Sequence, residues 1–334
     1  MAVLRIGHIE ICAADRAAAV DYFASSFGLS VLAHAISGTG HATLLAAGDL
    51  RLVVTGGPEA AAFLERHGDG VADITFVCDD PDTVRAQALA AGGRPAGPGS
   101  AVSAFGSVRH TLLPASASGW PDGRPWVPVT PASDRRGGHL GALDHIAVCV
   151  EADQLDDCVA YYRAGFGFER YSSEFIEVGS QAMDSVVVRN RAATATFTLL
   201  EPVTAREAGQ IDAFLDRNGG AGVQHLAFLV DEIVPAVRAY RERGVEFLAT
   251  PGGYYDALTE RLREVAPEID ELRETGVLVD RDEWGHLLQL FTRSPHERNT
   301  LFYELIQRRG ARGFGSANIR ALYEAVERDR LVAE

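Results

Sequence analysis

The chain reads itself twice. Gly7-His8-Ile9-Glu10-Ile11 returns as Asp144-His145-Ile146-Ala147-Val148, and Tyr22-Phe23-Ala24-Ser25-Ser26-Phe27-Gly28 returns as Tyr161-Tyr162-Arg163-Ala164-Gly165-Phe166-Gly167. Further on, Phe63-Leu64-Glu65-Arg66 followed by Gly70-Val71-Ala72-Asp73 returns as Phe214-Leu215-Asp216-Arg217 followed by Gly222-Val223-Gln224-His225. The spacing drifts only from 145 − 8 = 137 to 225 − 73 = 152 residues, a change that loop insertions absorb. Such a chain must fold as two similar units, because each copy carries the same pattern of buried and exposed positions. The copies differ in chemistry: His145 and His225 stand at corresponding places in the second, where the first has His8 and Asp73.

Each copy also divides into two. Leu4 to Cys12 alternates like a strand, Asp15 is placed to cap a helix with Ala18, Val20, Tyr22 and Phe23 on its apolar side, and Phe27-Gly28 ends that helix. Short strands are expected around residues 30–35, 41–46 and 50–55. A second unit starts at 71–77, has its helix near 81–91 and ends with strands near 99–113; the pattern restarts at Leu143 and again at Val223. Residues 115–140 carry Trp120, Pro121, Pro125, Trp126, Pro128 and Pro131, a composition that excludes a long helix or a central strand. This segment is the expected linker between a domain at 1–114 and a domain at 141–334, and its tryptophans predict that it packs down.

The 31 basic residues, all arginine, face 46 acidic ones for a formal net charge of −15, which with no basic stripe excludes nucleic acid as a partner. No segment approaches the roughly 20 apolar residues of a membrane span, and the N-terminus does not read as a signal peptide, so the expected location is the cytoplasm. Cys12, Cys78, Cys149 and Cys158 lack CxxC spacing and read as reduced cysteines rather than a disulfide or zinc framework.

The candidate site follows from the repeat. His145 and His225 lie on first strands of successive units, so the duplication makes them neighbours. In Leu301-Phe302-Tyr303-Glu304-Leu305-Ile306, alternation leaves both faces apolar and buries Glu304, which must be neutralised, paired or metal-bound. Two histidines and one carboxylate suit a non-heme Fe(II) that activates dioxygen. The alternative is an ion pair between Glu304 and an arginine such as Arg308. His286, near in sequence, has no support from the repeat.

Four tandem βαβββ units resemble the vicinal oxygen chelate (glyoxalase-like) architecture, an α+β fold of two tandem domains in which paired units curl into half-open barrels. Tyr254-Tyr255-Asp256-Ala257-Leu258, Leu287-Leu288-Gln289-Leu290-Phe291-Thr292, Phe302-Tyr303-Glu304-Leu305-Ile306-Gln307-Arg308 and Gly313-Phe314-Gly315-Ser316-Ala317-Asn318 resemble the 4-hydroxyphenylpyruvate dioxygenase family. The resemblance implies Fe(II) held by His145, His225 and Glu304, with 4-hydroxyphenylpyruvate and O2 as substrates and a homodimer allowed. It also implies a C-terminal lid helix and a substrate pocket shaped by Ser185, Thr198, Leu200, Gln289, Phe302, Ile319 and Tyr323. Members of the family attack either the substrate ring, giving homogentisate, or the benzylic carbon, giving 4-hydroxymandelate on the way to hydroxyphenylglycine for peptide antibiotics. Where the ring-attacking pattern has proline, asparagine and two phenylalanines, this chain has Thr198, Leu200, Ile319 and Tyr323, and all four departures resemble the benzylic branch. From another class, the same architecture also builds metal-free binding proteins, against which the buried Glu304 counts.

Overall fold

The computed structural model describes residues 2–37, 40–97, 99–116, 120–121, 123–130, 138–315, 318 and 320–321. The first half runs β1 (Val3–Cys12), α1 (Arg16–Asp21), β2 (Ser30–Ser37), β3 (Gly40–Ala47), β4 (Leu50–Gly56), α2 (Ala61–His67), β5 (Gly70–Cys78), α3 (Pro81–Ala90), β6 (Val102–Ser103), β7 (Arg109–His110), β8 (Leu112–Pro114) and β9 (Trp126–Pro128). The second runs β10 (Leu140–Cys149), α4 (Leu155–Phe166), β11 (Glu169–Val178), β12 (Gln181–Arg189), β13 (Thr196–Pro202), α5 (Gln210–Asn218), β14 (Gly222–Val230) and α6 (Ile233–Glu242). It closes with α7 (Gly252–Arg261), α8 (Ile269–Thr275), β15 (Leu278–Arg281), β16 (His286–Phe291) and β17 (Phe302–Arg309). The four strand-helix-three-strand units expected from the repeat are present.

Local signals act where the sequence puts them. The Asp15 side chain accepts from Ala18 N at 3.0 Å and caps α1, and Gly167, at φ 71°, ends α4 in the left-handed region where glycine carries no Cβ penalty. One local expectation differs. The first helix does not continue as α-helix through Phe23, because residues Tyr22–Ser26 form a single π turn. That wider turn brings Tyr22, Phe23 and Phe27 together against Tyr303 of the second half, with ring centroids 5.9, 5.3 and 5.9 Å away. Tertiary aromatic packing has overridden the local 3.6-residue period.

Two mixed sheets result, in the order β6-β7-β5-β1-β4-β3-β2-β9, with β8 also on β5, and β11-β12-β13-β10-β14-β17-β16-β15. In each, the first strands of two units pair antiparallel at the centre, β1 with β5 and β10 with β14. A parallel partner flanks them, β4 on β1 and β13 on β10. The sheets curl as half-barrels, and one apolar core containing Phe27, Phe76, Phe197 and Phe228 spans both halves. The proline-rich segment adds β9 to the edge strand β2, where missing N–H donors are tolerated. Trp120 and Trp126 pack on Ala33 and Ala35, as the tryptophan content predicts. All four cysteines are unpaired thiols. Among the described residues no helix is long and apolar enough to cross a membrane.

Candidate metal centre

Strand register assembles the centre. Across three neighbouring strands, His145 on β10 faces Ala227 on β14, and Ala227 faces Glu304 on β17, while His225 stands one pleat along β14 opposite Ala147. Neighbouring strands lie about 4.8 Å apart. The small Ala227, between two long side chains, therefore leaves a gap into which His145 and Glu304 lean from either side. Their donor atoms and that of His225 all fall within 4.8 Å of one another, and all three residues are buried.

Glu304 is only 1% exposed. Its Oε1 accepts from Gln289 Nε2 at 2.7 Å, whereas its Oε2 has no hydrogen-bond partner and lies 3.3 Å from His145 Nε2 and 3.5 Å from His225 Nε2. Each ring already has an acceptor at its other nitrogen: Asp144 Oδ1 is 2.8 Å from His145 Nδ1, and Gln224 Oε1 is 3.2 Å from His225 Nδ1. A neutral imidazole placed this way carries its proton on Nδ1 and turns the Nε2 lone pair toward Glu304. Burial lowers the proton affinity of His225 against the opposing pull of the nearby Glu304 carboxylate, so the neutral ring is favoured. Two lone pairs and an orphaned carboxylate oxygen converging on one point lack a cation, and a divalent metal fits that donor set.

The supports of the two histidines are not the same. Asp144 is itself gripped by Arg308, with Nε donating to Oδ2 at 2.6 Å and Nη2 to Oδ1 at 2.8 Å. Burial disfavours the Asp144 carboxylate, but the hydrogen bonds from Arg308 and His145 and the guanidinium charge outweigh it and hold the group well below the usual carboxylate range. Arg308 therefore serves Asp144 and not Glu304, contrary to the ion pair weighed from sequence. His286 lies away from the centre, 3.3 Å from Glu264.

A cavity of about 40 Å³, enough for two or three waters, opens beside the three residues. Thr198, Leu200 and Met183 wall it from β13 and β12, Gln210 and Ile211 from α5, and Gln224, Gln289, Phe291 and Phe314 complete it. Thr198 Oγ1 is buried there without a partner. Phe302 stands beside the cavity and stacks on His225 at 5.0 Å and 30°. Ser185 pairs with Leu200 but lines a neighbouring cleft with Glu174 and Glu201 instead. Ile319 and Tyr323 lie outside the described residues; of the expected lid helix, Asn318, Arg320 and Ala321 are described as helical, and Asn318 Nδ2 is 2.8 Å from Gln289 Oε1. Asp144 and Gln224 escaped the sequence reading, yet a signal existed. Each immediately precedes a candidate ligand, where the first copy has Gly7 and Ala72, which have no side-chain acceptor to offer.

The equivalent row in the first sheet shows why no such cluster forms there among the described residues. Thr75 replaces Ala227, and its hydroxyl, 3.0 Å from His8 Nε2, fills the gap. By the same register Thr111 takes the place of Glu304, and its Oγ1 donates to Asp73 at 2.6 Å. Arg109 then bridges Asp73 at 2.7 Å and Glu10 at 3.1 Å.

Residues 142–290 match the family model described as glyoxalase/bleomycin resistance protein/dioxygenase superfamily. The chain is 33% identical over 304 residues to 4-hydroxyphenylpyruvate dioxygenase from Danio rerio, covering 82% of this chain and 75% of that one. Against the enzyme of that name from Caenorhabditis elegans the figures are 36% over 296 residues, with 80% and 75% covered. Among solved structures, a mutant of 4-hydroxymandelate synthase from Streptomyces coelicolor is similar with a TM-score of 0.90 and 48% identity, covering 99% of this chain and 100% of that one.

Proposed function

Because the chain belongs to the 4-hydroxyphenylpyruvate dioxygenase family, we propose that His145, His225 and Glu304 hold one Fe(II) and that the enzyme converts 4-hydroxyphenylpyruvate and O2 into 4-hydroxymandelate and CO2. The family reading makes it an iron-dependent dioxygenase; the ligand set, the substrate and the product are the assignment made here. The observation that carries it is the orphaned Oε2 of Glu304 facing two imidazole lone pairs in a buried, mostly apolar cavity. The reaction balances without a further reductant: one oxygen atom ends in the new carboxylate formed as CO2 leaves, and the other in the benzylic hydroxyl. Fe(II), when held by His145, His225 and Glu304, would supply the one-electron chemistry that O2 needs, while the keto acid and the benzylic C–H bond provide the electrons that reduce it.

The protein's own residues do the rest. All three ligands approach from the sheet, so substrate and O2 have only the cavity side to enter from. Asp144 and Gln224 fix both histidines in the tautomer that offers Nε2. The free Thr198 hydroxyl and the Gln289 amide are the polar handles for a keto acid or phenol, while Leu200, Met183, Ile211 and Phe291 keep water out. The cavity is smaller than an aromatic keto acid, so binding requires part of the wall to move outward. The strands cannot yield easily; Phe314, in the irregular segment after β17, can.

The benzylic outcome rests on Thr198 and Leu200 at the cavity wall, on Ile319 and Tyr323, and on 48% identity to the synthase against 33–36% to the dioxygenases named above. Supply of a peptide-antibiotic precursor is proposed from the same branch. A barrier difference of about 1.4 kcal/mol changes the product ratio tenfold, which a few methyl groups can provide. Anaerobic loading with Fe(II), followed by turnover of 4-hydroxyphenylpyruvate in O2 and identification of the product by mass and chromatography, tests the assignment. Hydroxymandelate supports it, and Ile319→Phe should then raise the homogentisate share. Mostly homogentisate from the unaltered enzyme would overturn the product assignment and leave the iron site standing.

A further inference from the structure

Arg308 reaches in two directions. On one side its Nε and Nη2 hold both oxygens of Asp144, the acceptor that orients His145. On the other its Nη1 donates to the carbonyls of Gly313 at 2.7 Å and Ala311 at 3.3 Å, and its guanidinium carbon lies 5.1 Å from the centroid of the Phe314 ring. That ring meets His145 edge-on at 5.2 Å and lines the cavity. Segment 311–314 has two other polar anchors: Asp282 Oδ2 accepts from Arg312 N and Gly313 N at 2.7 Å each, and the Phe314 carbonyl lies 3.5 Å from Gln289 Nε2. Four of the five N–H groups of one guanidinium thus tie an irregular wall segment to the support of a candidate ligand, a task that needs a planar fork rather than a point charge.

We infer that Arg308 is a positioning residue that couples seating of the Ala311–Phe314 segment over the cavity to the orientation of His145 for metal. When the segment is seated, Arg308 is held at three points, Asp144 is fixed, and His145 Nε2 faces the centre. When the segment lifts to admit a ligand, Arg308 loses its carbonyl partners and the Phe314 face, and its grip on Asp144 loosens. Coupling of this kind is reciprocal, so metal at His145 must in turn favour the seated segment. The inference rests on the reading of His145, His225 and Glu304 as ligands, and its test separates the two.

Co(II) alone serves as probe, titrated into the full chain by its visible absorption, with amide hydrogen exchange followed at residues 311–315 and, as a control, at 81–90. In the unaltered protein Co(II) is expected to slow exchange at 311–315 by about five- to 150-fold, the usual span of coupling between sites, and to leave 81–90 unchanged. Arg308→Lys keeps a cation for Asp144 but loses the fork; it should bind Co(II) about 10- to 100-fold more weakly and lose the metal-dependent slowing. If that variant does not fold, Asp144→Asn, which retains an acceptor for His145 Nδ1 but weakens the hold of Arg308, carries the same test. A merely structural Arg308 would speed exchange at 311–315 equally with and without metal. Unchanged Co(II) affinity in the variant, or no metal-dependent slowing in the unaltered protein, overturns the inference. Failure of the unaltered protein to bind Co(II) at all refutes the ligand reading itself.

Discussion

Glu304→Gln should have opposite effects on the metal-free and the metal-loaded protein. In the metal-free state the Glu304 carboxyl group is 1% exposed, with one oxygen satisfied by Gln289 and the other with no donor. A buried acceptor left without a partner costs about 1–3 kcal/mol, and more when charged. The substitution is isosteric. The introduced amide can keep its oxygen toward Gln289 Nε2 and turn its NH2 toward the two imidazole lone pairs, now 3.3 and 3.5 Å from Oε2. The metal-free variant is therefore expected to be more stable by about 1–3 kcal/mol, which for half-chains of this size raises the midpoint of thermal unfolding by roughly 2–12 °C. With metal the order reverses. Metal at 100 times its dissociation constant stabilises by about 2.7 kcal/mol, a gain the variant should lose because an amide is a far poorer ligand than a carboxylate. Scanning calorimetry of both proteins, each with and without Co(II), reads all four states. A metal-free variant that melts below the parent would mean that Glu304 is internally satisfied and structural. A metal-induced rise that survives the substitution would remove Glu304 from the ligand set.

Three further outcomes follow from the same geometry. His8→Ala should leave metal stoichiometry at one per chain, measured by elemental analysis after dialysis, because Thr75 and Arg109 already occupy the first row; a drop in stoichiometry would place metal in the first half. Ala227→Thr, which copies Thr75 into the second row, should lower Co(II) affinity by at least about tenfold with the fold retained by circular dichroism, since the added hydroxyl fills the gap between His145 and Glu304. Asp144→Asn should flatten the acid limb of stability. The folded carboxyl titrates below its unfolded value of about 3.9, so its contribution is full above that pH and fades as pH falls through the lower folded value. Urea midpoints between pH 2 and 6 that fall equally steeply in the variant would show that Asp144 does not govern acid unfolding.

The architecture and the two histidines were legible because duplication transfers position, and Glu304 because an apolar run on both faces buries it. Once His8 and His145, or Asp73 and His225, are equivalent, the register of β1 with β5 fixes that of β10 with β14, and the observed pairs Glu10 with Asp73 and Ala147 with His225 agree. What escaped was set by packing between segments distant in sequence. The π turn at Tyr22–Ser26 brings Tyr22 onto a ring 281 residues later, Tyr303, and nothing local announces it. Arg308, four residues after Glu304, looked like its partner, but alternation along β17 does not fix which way a long side chain reaches, and Asp144 on another strand holds it. Ser185 matched a motif position, yet it lines a separate cleft with Glu174 and Glu201, which neighbouring strands β11 and β13 bring alongside it.

The first half has lost the donor set but answers the same electrostatic demand. Glu10 and Asp73 are buried carboxylates, 5% and 3% exposed, and burial without a cation would cost each of them heavily. Arg109 supplies that cation from within the chain, bridging both, with Arg124 on the other oxygen of Glu10. A permanent guanidinium is available at once on folding but cannot exchange electrons as a metal can, and we propose on that ground that this barrel serves as scaffold. The scaffold still bears on the second centre. Tyr303, adjacent to Glu304 on β17 and facing away from the cavity, is packed by Tyr22, Phe23 and Phe27 and lies 2.9 Å through its hydroxyl from His296, whose other ring nitrogen is 3.1 Å from Asp69. The first half thus grips the back of the strand whose front carries the carboxylate, which gives a physical reason for a duplicated chain to keep its first copy.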